Sequence, residues 1–153
     1  MVKIHSYSID KKVYNLKCEV PPEELKSFRS YRGLEKLPVI DIINLNGKDY
    51  PMGYKVVTED LKSLGLRRNS NIIAYSINEW CYLPKNKIKE GPDDWGGIWV
   101  ARTLSNAKTL KKYYEKNHLK SARVFKAALD EILHFNSYRI KTNSIMMFEE
   151  IKW

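Results

Sequence analysis

The sequence predicts an α+β fold, in which a largely antiparallel sheet is combined with three or four helices in a single compact domain. Three observations lead to this prediction. The chain has 153 residues, so residues 1–153 suit one domain of ordinary size. Alternating or β-branched apolar segments recur along it, with amphipathic segments of helical period between them. Hydrophobic residues make up 43% of the chain and aromatic residues 12%, which is enough to bury a core.

The N-terminal part of the chain predicts a hairpin followed by a helix. Residues 2–9 and 12–20 alternate between apolar and polar side chains, as two antiparallel strands do. The prolines and acids that begin at Pro21 are typical of the first turn of a helix, and Gly33 is its expected end.

A second hairpin is the clearest local prediction. Residues 37–45 are dense in β-branched residues and end at Asn46-Gly47. Both of these residues accept a positive φ, so the pair favours a tight type I′ turn between two strands.

The middle of the chain predicts a short helix, a strand and a long loop. Thr58 is a suitable N-cap for a helix over 59–64, and residues 71–77 have the pattern of a buried strand. The glycines, prolines and six charged residues of segment 84–97 predict a loop long enough to be functional or mobile.

The last third begins with a short apolar strand over 98–101 and a helix over about 104–116, for which Thr103 is the expected N-cap. Residues 121–135 are ambiguous: a helical stripe and high helix propensity favour a helix, whereas the residues from Arg123 also suit a strand. On local grounds the helix is favoured.

Two further strands, over 138–142 and 145–151, are expected to close the chain.

The positive charge of the chain is concentrated in one segment. The formal net charge is +9, and residues 102–126 carry eight basic residues against Glu115 alone. Such a balance favours a phosphate-bearing partner, a nucleotide or a nucleic acid, although a solvated lysine face is the alternative. The candidate phosphate contacts are Arg102, Lys108, Lys111, Lys112 and Arg123, with Arg67, Arg68 and Arg139 as extensions.

Cysteine usage and hydropathy indicate the cellular compartment of the protein. Cys18 and Cys81 form no CxxC pair, and two buried thiols are favoured over a disulfide, as expected in a reducing cytoplasm. The sequence has no apolar stretch of signal-peptide length and none near the ~18 residues of a membrane span. A cytoplasmic protein without a membrane partner is expected.

The histidines His5, His118 and His134 have no metal-ligand spacing, so no metal cofactor is expected. Trp95 and Trp99 flank two glycines and could stack on a base, although Trp99 lies in an apolar strand more typical of a core.

Residues 97–114 resemble one stretch of the ADP-ribosyltransferases. Gly97-Ile98-Trp99-Val100-Ala101, followed by Ser105, Ala107 and Tyr113 or Tyr114, is similar to the central strand and following helix of that family. There a Gly-Ile-Tyr-Phe-Ala strand leads into a Ser-x-x-Ala-x-Tyr-like helix start. The resemblance also requires residues 123–129 to be a strand.

The resemblance implies NAD as the cofactor and three catalytic positions. His5 would bind the nicotinamide ribose, Trp99 would lie under the nicotinamide, and Glu149 or Glu150 would steady the developing oxocarbenium ion. It thus implies an NAD-binding domain that transfers ADP-ribose, with nucleic acid as the acceptor that the basic segment suits.

Two other functions remain open. The first is a non-enzymatic protein that binds nucleic acid or a nucleotide through the basic helix face. The second is a small interaction or inhibitor module with a protein partner, of the kind that phages encode.

Overall fold

The structure is a computed structural model that describes residues 3–9, 14–19, 39–66 and 72–153, the first two of these segments and Val39 by their backbone alone. The described residues form ten β-strands, one α-helix and one 3₁₀ turn at Lys85–Lys87. In chain order these are β1 (Lys3–Ile9), β2 (Tyr14–Glu19), β3 (Val39–Leu45), β4 (Lys48–Thr58), β5 (Trp80–Tyr82), β6 (Ile98–Ala101), α1 (Leu104–His118), β7 (Ala122–Leu129), β8 (Ile132–Phe135), β9 (Arg139–Thr142) and β10 (Ser144–Ile151).

All described strand pairs are antiparallel, and β4 is the strand from which the sheet branches. The first half of β4 pairs with β3, which continues to β2 and β1. The second half pairs with β7 along its length and touches β6 through the bridge between Tyr54 and Ala101. From β7 the sheet continues to β10 and β5, and from β6 it continues to β9 and β8.

Hydrophobic side chains are buried on both faces of the β4–β7 pair. Val57, Phe125 and Leu129 belong to a cluster on one face, whereas Tyr54, Val56 and Val124 belong to a second cluster that includes Ala107 and Tyr114 of α1. The helix therefore covers one face of the sheet, and the strands beneath it are buried on both sides.

Several predicted elements are confirmed. The N-terminal hairpin corresponds to β1 and β2, and the second hairpin to β3 and β4. Asn46 and Gly47 have φ values of 54° and 85°, as a type I′ turn requires. The strand over 98–101, the helix with its Thr103 cap and the two closing strands are also present.

The predicted fold class is wrong in its helix content. Among the described residues the antiparallel sheet predominates and α1 is the single α-helix, so the fold is β-rich rather than α+β with three or four helices. The helix predicted from Pro21 to Gly33 lies outside the described residues.

The helix predicted over 59–64 is a turn. The Thr58 hydroxyl accepts a hydrogen bond from the Lys62 N–H at 3.0 Å, one residue beyond the amides that an N-cap hydroxyl bonds, and Leu61 has a φ of 62°. A left-handed residue ends helical geometry at once. Lys62 instead forms an isolated bridge with Ala74, so the strand predicted over 71–77 is reduced, in its described part, to this one bridge.

The helix favoured over 121–135 is also wrong, because this segment forms β7 and β8. β7 is hydrogen-bonded to β4 on one side and to β10 on the other, so pairing overrides local helix propensity. A strand buried on both faces has few polar positions, and β7 therefore lacks the alternation that identifies a half-buried strand.

Candidate functional site

A cleft of about 1010 Å³ opens beside β6. It is lined by Gly96 to Ala101, and by residues of α1, of the segments 63–66 and 72–75 and of the rest of loop 83–97. Strand β6, which follows Gly97 directly, therefore lines this cavity along its whole length.

Loop 83–97 is an anchored wall of this cleft. The Arg139 guanidinium forms an ion pair with the Asp94 carboxylate at 3.0 Å, and the Trp99 indole N–H donates to the Asp94 carbonyl at 3.0 Å. Lys141 is fully buried and donates from Nζ to the Gly91 carbonyl at 3.1 Å. These bonds hold the loop against β6 and β9. The long loop that the sequence predicts therefore has a defined position.

A glycine is required at position 97, at the base of the loop, because the Lys141 side chain lies against its backbone. A Cβ added there would lie 2.5 Å from Cγ of Lys141, whose aliphatic chain packs against the Gly97 backbone. Burial lowers the pKa of Lys141, with Asp93 acting in the opposite direction.

The Trp99 ring is stacked against Arg139. The guanidinium carbon lies 3.6 Å from the ring centroid, which is the geometry of a strong cation–π contact. One face of the indole is therefore occupied, and Trp99 positions Arg139 in addition to lining the cleft. The sequence placed Trp99 on the correct strand, but it gave no sign of this cationic partner.

The exposed aromatic surface of the cleft belongs to three other rings. Trp95 is 53% exposed, Tyr113 is 55% exposed and Tyr138 is 67% exposed, and all three line the cleft. Each comes from a different element: loop 83–97, α1 and the turn before β9. Lys87 adds positive charge to the same lining, which also contains Arg139 with its ion-pair partner Asp94.

Lys55 lines the cleft although its side chain is nearly buried. It is 9% exposed, and its Nζ donates to the Trp99 carbonyl at 2.7 Å and lies 5.6 Å from the centre of the Tyr75 ring. Burial lowers the pKa of Lys55 to about 8. Sequence reasoning missed this residue, although a single lysine in the apolar run of β4 is a signal that could have found it.

The three catalytic residues implied by the resemblance lie on strands that do not pair with one another. His5 is on β1, whose side chains are outside the description; Trp99 is on β6; and Glu149 is on β10. Glu149 forms an ion pair with Lys126 at 2.8 Å and does not line the cleft. Among the described residues, Asp94 is the carboxylate that lines it.

Besides Arg139, which is paired with Asp94, two more of the predicted phosphate contacts are engaged in ion pairs. Arg123 binds Glu150 through two N–H groups, at 2.8 and 3.1 Å, which lowers the pKa of Glu150. Lys111 binds Glu115 at 2.9 Å and lowers the pKa of that carboxyl.

Three lysines of α1 form a line along its outer surface. Lys108 and Lys112, both predicted as phosphate contacts, are exposed, and Lys116 continues their spacing of four residues. We call Lys108, Lys112 and Lys116 the lysine row. The sequence predicted Lys111 as a contact and did not predict Lys116, whereas in the structure Lys111 is paired with Glu115 and Lys116 is exposed.

The remaining predicted cations lie elsewhere. Arg102 is half-buried just before α1, with its guanidinium 5.9 Å from the centre of the Phe135 ring. Arg67 and Arg68 lie outside the described residues.

No group of three or more His, Cys, Asp or Glu side chains within the described residues is arranged to hold a metal ion. In the same part of the chain, no helix has the length and apolar character needed to cross a membrane.

Comparisons of the chain with protein-family models, with curated proteins and with solved structures find no match.

Proposed function

We propose that this protein binds a ligand of the nucleotide class in the cleft beside β6, with NAD as the first candidate. The observation that carries the proposal is the grouping of Trp95, Tyr113 and Tyr138, each more than half exposed, around one cavity with Lys87 and Arg139. The resemblance of Gly97–Ala101 to an NAD-binding strand supports the same ligand class.

The physical reasons concern both parts of a nucleotide. Large aromatic side chains exposed together at a concave site are costly in water and offer faces on which a base can stack. Cations beside them attract phosphate groups. The volume of about 1010 Å³ lies at the upper end of the range of ordinary small-molecule sites, roughly 300–1,000 Å³.

The test is calorimetric titration of NAD, AMP and adenosine into the wild-type protein and single variants. We expect Trp95→Ala, Tyr113→Ala or Tyr138→Ala to weaken binding about tenfold, since stacking on one ring contributes ~1–3 kcal/mol. Tyr82→Ala is the matched control, because Tyr82 is 61% exposed and lies outside the cleft lining. No binding of any of the three ligands would overturn the proposal.

A charge-matched pair refines this test. Lys85 and Lys87 are both exposed in the same 3₁₀ turn, but Lys87 alone of the two lines the cleft. Lys87→Gln should weaken NAD and AMP binding more than Lys85→Gln does.

Transfer of ADP-ribose is a further property to test in the same samples. Label transfer from NAD to the protein or to added nucleic acid should be lost in His5→Ala and Glu149→Ala if the resemblance extends to catalysis. Retention of transfer in both variants would exclude these residues as catalytic. NAD binding without transfer would support a nucleotide-binding protein that is not an enzyme.

A second candidate function, binding of nucleic acid, is supported by the lysine row. Like charges four residues apart on a helix repel each other by a few tenths of a kcal/mol, and Lys108, Lys112 and Lys116 form two such pairs. At 100° per residue the row lies beside the stripe of α1 that contains Thr109 and Tyr113, which line the cleft. A polyanion lying on this row would therefore pass close to the cleft.

Titration of single-stranded oligonucleotides at several salt concentrations tests this candidate. Lys108→Gln, Lys112→Gln and Lys116→Gln together should weaken binding and reduce the slope of log K against log salt by about 2. The control triple variant is Lys48→Gln, Lys85→Gln and Lys152→Gln, which removes the same charge from exposed positions off the helix. Equal slopes for the two triple variants would exclude a specific role for the row.

A further inference from the structure

Lys55 brings a positive charge to the cleft without a described counter-ion. An ammonium group has three N–H donors. One donates to the Trp99 carbonyl at 2.7 Å, and the Tyr75 ring lies on another side of the nitrogen. Among residues 40–66 and 72–153, no carboxylate forms an ion pair with it.

The groups that face Lys55 do not supply negative charge near neutral pH. Burial raises the pKa of the Tyr75 phenol well above its usual range, and its hydroxyl has no hydrogen-bond partner among the described residues. Burial also raises the pKa of the Cys81 thiol on β5, although the charge of Lys55 opposes that rise. Both groups are therefore neutral at pH 7, whereas Lys55, with a pKa of about 8, is mostly charged.

A buried cation without an anionic partner is costly, and a ligand anion that reaches it removes part of that cost. The cleft gives such an anion a route, because Lys55 is one of its lining residues. The rings of Trp95, Tyr113 and Tyr138 line other parts of the same cavity. A nucleotide has both of the chemical parts that this arrangement would hold.

We propose that Lys55 is the anion contact of the cleft and that it receives oxygen atoms of a phosphate group of the ligand. The inference rests on the proposed function, since it assigns one end of a nucleotide to a particular side chain. In this arrangement Lys55 binds the phosphate group, and the exposed rings of Trp95, Tyr113 and Tyr138 bind the base.

Calorimetry with AMP and adenosine tests the assignment. In Lys55→Met, which keeps an unbranched side chain of similar length, AMP should bind at least tenfold more weakly, whereas adenosine should change less than twofold. Lys141→Met removes the other buried lysine, which lies off the cleft lining, and any effect that it has through loop 83–97 should be equal for the two ligands.

A second measurement uses the wild-type protein, so it does not depend on the folding of a variant. The pKa of Lys55, followed by NMR at its assigned ε-carbon, should rise by more than 1 unit when inorganic pyrophosphate or AMP is added. Adenosine should leave this pKa unchanged, because it carries no phosphate.

The outcomes separate the two proposals. If AMP and adenosine bind with the same affinity to Lys55→Met as to the wild type, or if neither anion moves the pKa of Lys55, the inference is overturned and the proposed function stands on the aromatic variants. If pyrophosphate raises the pKa of Lys55 but no nucleotide or nucleoside binds, the anion contact stands and the proposed function falls.

Discussion

At the scale of single residues, Lys55 is the clearest source of destabilisation. Its side chain is buried, and its pKa falls from the reference value of 10.5 to about 8. At 1.36 kcal/mol per pKa unit, this shift corresponds to about 3 kcal/mol of destabilisation while the amine is charged. The charged amine that causes this destabilisation belongs to a residue of the cleft lining, so it can contribute to ligand binding.

We therefore expect Lys55→Met to unfold at a higher urea concentration than the wild type at pH 7, with a gain of about 1–3 kcal/mol. The gain should shrink as the pH rises from about 8 to 10.5. In that range the unfolded chain binds more protons at Lys55 than the folded chain does, so the wild type becomes relatively more stable. Urea unfolding of both proteins at pH 7, 8, 9 and 10 measures the difference.

Cys81 also titrates in alkaline solution, and the charge of Lys55 acts on its pKa, so the same pair of proteins is compared in a Cys81→Ala background to isolate Lys55. A variant that is less stable than the wild type at pH 7 would contradict this account.

The Trp99–Arg139–Asp94 group shows how one residue can have two roles. Trp99 stacks on the Arg139 guanidinium with one ring face and donates its indole N–H to the backbone of loop 83–97. Arg139 in turn binds the Asp94 carboxylate of that loop. The aromatic residue of β6 thus organises the cleft wall, and the neighbouring Trp95 provides the exposed ring.

At the scale of elements, α1 depends on its N-cap. The Thr103 hydroxyl oxygen accepts the Asn106 N–H at 3.1 Å, which satisfies one of the free amide groups of the first turn. The helix contributes Tyr113 to the cleft and the lysine row to the surface, so its stability bears on both proposed interactions.

Thr103→Ala should therefore lower the free energy of unfolding by about 1 kcal/mol, because the amide loses its acceptor. Thr103→Ser should restore most of the loss. Ser105→Ala, an exposed change two residues further on, should stay within about 0.5 kcal/mol of the wild type. Urea unfolding followed by circular dichroism measures all three, and equal stability of Thr103→Ala and Ser105→Ala would contradict the role of the cap.

The elements also show where local sequence signals succeed. The Asn46-Gly47 turn and the Thr103 cap depend on interactions between residues close in sequence, and each was predicted correctly. The segments 59–64 and 121–135 were predicted wrongly, because their partners are distant in sequence: Ala74 for the first, and β4 and β10 for the second.

At the scale of the whole molecule, ion pairs neutralise part of the positive charge of residues 102–126. Residues 102–126 carry an excess of seven positive charges, but Lys111, Arg123 and Lys126 are each paired with a glutamate. Two of these glutamates, Glu149 and Glu150, lie on β10. The exposed positive charge of this segment is therefore concentrated on the lysine row and at the end of α1.

The sequence by itself determined the antiparallel character of the sheet, the Asn46-Gly47 turn, the one described helix and strand 98–101. These depend on side-chain periodicity, capping and turn chemistry over a few residues. Only the tertiary structure decided that Arg139 covers Trp99, that Glu149 faces Lys126 and that Lys55 reaches the cleft. Each of these contacts joins residues more than twenty positions apart, and the pairing and branching of the sheet bring them together.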